Sequence, residues 1–135
     1  MDCIFCKIIG KEIPAEILYE DERTISFLDL TPINEGHALV VPKNHAETLL
    51  DISSADLAAC SNVLQHVSLG IMKAVLADAF NIHMNNFEAA GQAVKHAHFH
   101  IIPRFRNDGL DHWHGKKASS EALKETAEKI RTFLK

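Results

Sequence analysis

Between residues 95 and 104 the chain reads KHAHFHIIPR, three histidines at every second position in an apolar setting. That period narrows the local structure sharply. Side chains of an extended strand alternate between faces, so His96, His98 and His100 share one face and Ala97, Phe99 and Ile101 the other. In a helix the middle histidine would be turned about 200° from its neighbours. The segment is also rich in residues that suit strands. The spacing predicts a strand with an apolar back against a core and a front of three imidazoles.

The flanking sequence supplies the rest of a sheet. ILYEDERTISFLDL (17–30) reads as two short strands around an acidic turn at Glu20, Asp21 and Glu22. INEGHALVVPK (33–43) gives a turn at Asn34-Glu35-Gly36 and then a strand that ends at Pro42 or lies on an edge. Over about 54–77, Leu57, Cys60, Leu64, Val67, Ile71 and Val75 fall at three- and four-residue steps, the stripe of a long helix capped by Ser53 or Ser54. AFNIHMNN (79–86) reads as a strand and FEAAGQ (87–92) as a loop. After the histidine strand, Leu123, Ala127, Ile130 and Leu134 mark a C-terminal amphipathic helix. Strands in a meander, a crossing helix and two more strands predict an α+β domain: an antiparallel sheet of about five strands with one long and one C-terminal helix packed on it.

A chain of 135 residues suits one domain, 1–135, with a single core. The net charge of −4 gives no nucleic-acid footprint, and no apolar run approaches the ~20 residues of a membrane span. Met1 is followed at once by Asp2 and Cys3, which is no signal-peptide pattern, and three cysteines do not form a disulfide framework. The expectation is a cytoplasmic protein in a reducing compartment.

Three neighbouring imidazoles cannot all be protonated cheaply at neutral pH. A neutral imidazole has a free lone pair and can bind a metal, act as a base or attack an electrophile. A solvated row of surface histidines is the bland alternative, and a metal site the serious one. Just upstream, Gly91 permits close backbone approach to a ligand, and Gln92 can hold a phosphoryl oxygen or order the loop. Together they point to an anion-binding loop beside a nucleophile.

GQAVKHAHFHIIPR resembles the signature of the histidine triad family of nucleotide hydrolases and transferases, His-φ-His-φ-His-φ-φ with φ apolar. CIFCKIIGKEIPAEILYED, SFLDLTPINEGHALVVPKNH and NIHMNN extend the resemblance in the same order. It fades after about residue 106, which makes 107–135 a variable C-terminal extension of the domain. The resemblance implies a hydrolase or nucleotidyl transferase that cleaves the α-phosphate linkage of purine nucleoside 5′-phosphoramidates or dinucleoside polyphosphates. Its course would run through a nucleotidyl-histidine and release a nucleoside monophosphate. His98 would be the nucleophile, His100 would contact the phosphate, His96 would support the cluster, and His37 would be a fourth active-site histidine. Asp29 would hold the ribose hydroxyls. Asn85 and Gln92 would supply amides around the phosphate, Gly91, Ala93 and Val94 would bind the nucleotide with His98 and His100, and Phe5, Ile8 and Leu28 would line the base pocket. Ala93 stands where many relatives have Ser or Thr, so one hydroxyl donor is missing. No metal is needed for this chemistry, and a homodimer whose two sheets join is implied. A nucleotide-binding regulatory or scaffold protein with little turnover is the alternative from another class.

Cys3 and Cys6 form a C-x-x-C pair, which alone can be redox-active, half a metal site or incidental. In the cysteine-bearing branch of the family such a pair binds zinc with two histidines, and His45 and His96 occupy the matching places. The resemblance therefore implies a structural Cys2His2 zinc site, against two free thiols. His112-Trp113-His114 reads as an exposed tail anchored by Trp113, His66 as exposed on the long helix, and Cys60 as an inert core thiol. His83 can face either the core or the site.

Overall fold

The structure, a computed structural model, describes residues 2–134. In chain order it contains α1 (Ile4–Ile9), β1 (Ile17–Glu20), β2 (Thr24–Leu28), β3 (Ala38–Pro42), α2 (Ser54–Val75), β4 (Ala79–His83), a short 3₁₀ turn (Glu88–Ala90), β5 (Phe99–Arg104) and α3 (Ser120–Thr132). The five strands form one antiparallel sheet in the order β1-β2-β3-β5-β4, an α+β architecture. The acidic turn closes β1 on β2 because Asp21 Oδ1 accepts the backbone N–H groups of Arg23 and Thr24, at 2.9 and 2.8 Å. The turn before β3 needs Gly36 at φ +90°. A Cβ there would also come within 3.1–3.3 Å of Val75, Ile71 and Pro103.

Period-two alternation divides the core. On one face, Ala38, Val40, Phe99 and Ile101 pack against Cys60, Val63, Val67 and Ile71 of α2. On the other, Ile25, Phe27, Leu39 and Val41 pack against Cys3, Phe5 and Ile8 of α1. Ser53 caps α2, its hydroxyl accepting from Asp56 N–H at 3.1 Å. Cys60 is fully buried, and burial pushes its thiol up to about 12, so it is inert.

Three expectations are corrected. β5 begins at Phe99, so His96 and His98 lie before the ladder rather than in it. Pairing with β3 stops at Val40↔Phe99. Pro42 further along has no N–H to offer, and Ala97 N–H bonds instead to the Ala46 carbonyl at 2.7 Å. His96 and His98 are buried, because α1 covers them. This six-residue helix had no periodic signal long enough to announce it. α3 forms as expected but buries none of its residues, and Leu123, Ile130 and Leu134 are exposed. Trp113 anchors nothing: it is 92% exposed. Of the two readings of Pro42, the structure shows the first: β3 ends at Pro42, in the middle of the sheet.

Candidate active site

The buried imidazoles are held by backbone carbonyls, and those contacts assign their protons. His98 Nδ1 lies 2.7 Å from the His96 carbonyl oxygen, which can only accept. Nδ1 therefore carries the hydrogen, and Nε2 keeps its lone pair. Burial lowers the pKa of His98, opposed by that hydrogen bond, so the ring is neutral at neutral pH. Phe5 packs edge-on against it at 5.0 Å between ring centroids.

His37 and His100 form a relay. Ile33 N–H donates to His37 Nδ1 at 3.0 Å, so the proton of His37 sits on Nε2. That nitrogen is 2.9 Å from His100 Nδ1, which must accept, leaving the His100 hydrogen on Nε2. Burial lowers His100 to about 4, reinforced by the repulsion that a protonated His98 or His37 would exert on a second cation beside it. Burial likewise lowers His37, opposed by Asp29, whose Oδ2 is 3.5 Å from His37 Nε2. The other carboxylate oxygen, Oδ1, takes the N–H and hydroxyl of Thr31 at 2.9 and 3.1 Å. The cluster thus presents a nucleophilic nitrogen on His98 beside a neutral N–H donor on His100.

His96 belongs to a different cluster. Its Nε2–H donates to the Pro42 carbonyl at 2.8 Å, so Nδ1 is a bare lone pair in a fully buried ring. That lone pair faces Cys3 Sγ at 3.3 Å, Cys6 Sγ at 3.6 Å and His45 Nδ1 at 3.1 Å. His45 Nδ1 lies 3.5 Å from Cys6 Sγ, and the four ligand atoms fall within 4.8 Å of one another. Ligands about 2.0–2.3 Å from a tetrahedral zinc would stand roughly 3.3–3.8 Å apart, so donor type and spacing both fit the ion. The three histidines of the row therefore do not act as one ligand set.

The sequence of the HIT domain family matches residues 10–107. The chain belongs to the histidine triad (HIT) family. It is 48% identical to an uncharacterized HIT-like protein of Methanocaldococcus jannaschii over 109 residues, 79% of this chain and 82% of that one. It is 38% identical to the adenosine 5′-monophosphoramidase hnt1 of Schizosaccharomyces pombe, with both chains fully covered. The crystal structure of SMU.412c from Streptococcus mutans superposes with a TM-score of 0.94 at 37% identity, covering 99% of this chain and 86% of that one. A zinc-bound histidine triad protein of Mycobacterium smegmatis has a TM-score of 0.78 at 32% identity, over 98% and 97% of the two chains.

Within the HIT frame, the loop that precedes the triad is tied together by Gln92. Its Oε1 accepts Phe87 N–H at 2.7 Å, and its Nε2 donates to the carbonyls of Glu47 and Val94 at 2.6 and 3.0 Å. Of the two roles open to Gln92, the structure shows the ordering of the loop. Gly91 sits at φ +94°, near Asn85, whose amide reaches the Gly91 carbonyl at 3.5 Å. Phe87 occupies φ 71°, ψ 159°, a region nearly reserved for glycine, so the Gln92 bond holds strained backbone in place. Ala93 is exposed and Val94 packs on the α1-side core. Phe5 and Ile8 share that core, whereas Leu28 packs on the α2 side of the sheet and is not brought together with them. Sequence reasoning missed Thr31, Ile33 N–H and the carbonyls of Pro42 and His96. Backbone groups leave no residue-type signal, and Thr31 stands out only as two residues after Asp29.

Proposed function

We propose that this HIT protein hydrolyses nucleoside 5′-phosphate derivatives at the α-phosphorus, releasing a nucleoside monophosphate. The observation that carries the reading is the assigned lone pair on His98 Nε2 next to the His100 N–H donor. His98 Nε2 attacks the α-phosphorus. An N–P bond forms, and the bond to the leaving group breaks with its electron pair on the departing atom, which takes a proton from solvent water. Water then attacks the phosphorus and gives up one proton to solvent, the N–P bond breaks with its electron pair on Nε2, and His98 is restored. The His100 Nε2–H stabilises the phosphoryl oxygens, and in this reading Gly91 and Asn85 of the Gln92-braced loop contact the same group. The phosphoramidase name of the fission yeast relative supports this class of substrate.

Cys3, Cys6, His45 and His96 would hold zinc. When bound, the ion would be structural, tying α1 to the segment that carries His98. The protein should turn over a fluorogenic adenosine phosphoramidate. Binding of AMP without turnover would favour the regulatory reading instead. Asp29 is the ribose ligand in this reading, and Asp29→Asn should weaken AMP binding by roughly 1–3 kcal/mol in calorimetry. Unchanged affinity would remove Asp29 from the pocket.

A homodimer joined through β4 also belongs to this reading. β4 is a sheet edge with Phe80 and Ile82 about two-fifths exposed, and Leu69 of α2 is exposed on the same side. Light scattering should give twice the chain mass, and Ile82→Lys should give monomers. A wild-type monomer would end that part of the proposal.

A further inference from the structure

The register of the sheet places a fifth imidazole beside the triad. Ile17, Phe27, Leu39, His100 and His83 are successive cross-strand partners, from β1 to β4. Directly opposed residues of antiparallel strands point to the same face, so His83 stands next to His100 on the site side of the sheet. α1 covers the Phe27–Leu39 end of this row, and His83 at the other end is exposed. Beside it opens a cleft of about 290 Å³ lined by Asn81, His83, Arg104, Asp111, His112 and Trp113. The Trp113 ring lies 6.2 Å from His83 between centroids. Arg104 is already committed, to Asp108 at 2.8 and 3.1 Å, Asn81 at 2.9 Å and the Leu110 carbonyl at 2.8 Å. His83 makes no hydrogen bond among the described residues.

The order of the strands sets a direction for a bound substrate. In the proposed function, the nucleoside lies toward Asp29, just after β2, and its α-phosphorus lies at His98 and His100. In-line displacement sends the leaving group away from His98 Nε2, and the open cleft on the side away from the nucleoside is the one beside His83 on β4. We propose that His83 is the leaving-group residue of this site and that it selects leaving groups carrying phosphate, as in a dinucleoside polyphosphate, over simple amines. An imidazole N–H donates more strongly to an anionic phosphate oxygen than to the neutral nitrogen of an alkylamine. The exposed Trp113 face beside it offers a stacking surface for a second base. This inference rests on the proposed hydrolase reading and goes further by choosing between its two substrate types.

The test compares wild type with His83→Ala and His83→Gln on diadenosine tetraphosphate and on an adenosine phosphoramidate of a simple alkylamine. His83→Ala should lower kcat/KM for the tetraphosphate roughly 10-fold, as for a lost hydrogen bond to a charged group, and change the phosphoramidate value less than about 2-fold. His83→Gln, which keeps an N–H donor, should recover part of the loss. Binding of a non-hydrolysable diadenosine tetraphosphate analogue should weaken in parallel, while binding of AMP should not. Equal effects on both substrates, no effect on either, or a wild type that hydrolyses only the phosphoramidate would overturn the assignment. If wild type hydrolyses neither substrate, the hydrolase reading fails. The two binding measurements then decide His83 alone: selective weakening keeps it as a phosphate-binding residue, and unchanged binding removes it.

Discussion

His98→Ala will lower turnover by at least about 10³-fold while leaving the fold and AMP binding nearly intact. The expectation follows from the proton assignment. No other imidazole of the cluster offers an equivalent lone pair. The Nδ1 of His100 accepts from His37, His37 Nδ1 accepts from Ile33 N–H, and His96 Nδ1 is turned to the cysteines. His98→Asn should fail as well, since its amide nitrogen has no lone pair for attack. His100→Ala should cost less, because it removes charge stabilisation and not the attacking atom. Rapid quench of wild type should trap an acid-labile nucleotide on the peptide containing His98. An adduct elsewhere, or full turnover by His98→Ala, would overturn the mechanism.

The largest effect on stability should come from the Cys3–Cys6–His45–His96 cluster. Purified protein is expected to carry about one zinc per chain, and Cys3→Ser should lower both metal content and stability, by several kcal/mol. The choice of serine separates two roles of Cys3. Its sulfur also caps α1, accepting Cys6 N–H at 3.3 Å. Serine is itself a favoured N-cap, so a large loss would report the missing metal ligand and not a missing cap. Activity should fall with the metal, because α1 carries Phe5, whose ring packs against His98. Elemental analysis and thermal melts test both points. A zinc-supplemented wild type that remains metal-free and is no less stable would refute the site.

Legibility from sequence followed the range of each signal. β1, β2, β3 and α2 were readable because alternation and helical stripes are local, and their boundaries differ from expectation by a residue or two. α1 was not, since six residues hold too few apolar positions to show a period; the helix exists because Phe5 and Ile8 find the sheet. α3 was readable as a helix, but its amphipathic pattern could not say that none of its residues is buried against the rest of the described chain. Gln92 was visible as a polar residue by a glycine. Its bonds to Phe87, Glu47 and Val94 depend on how the loop closes.

By itself the sequence determined the residue types at the site, the family and the alternation that sets the two faces of the sheet. Each of these is carried by identity and spacing along the chain. Tertiary structure decided which nitrogen of each histidine holds its proton, because the deciding partners are mostly backbone groups. It divided the histidine row, turning His96 to the cysteines and leaving His98 and His100 beside each other, where the chain leaves the ladder at the Ala97–Ala46 bond. It also put His83 opposite His100, since cross-strand register joins residues that the sequence keeps apart.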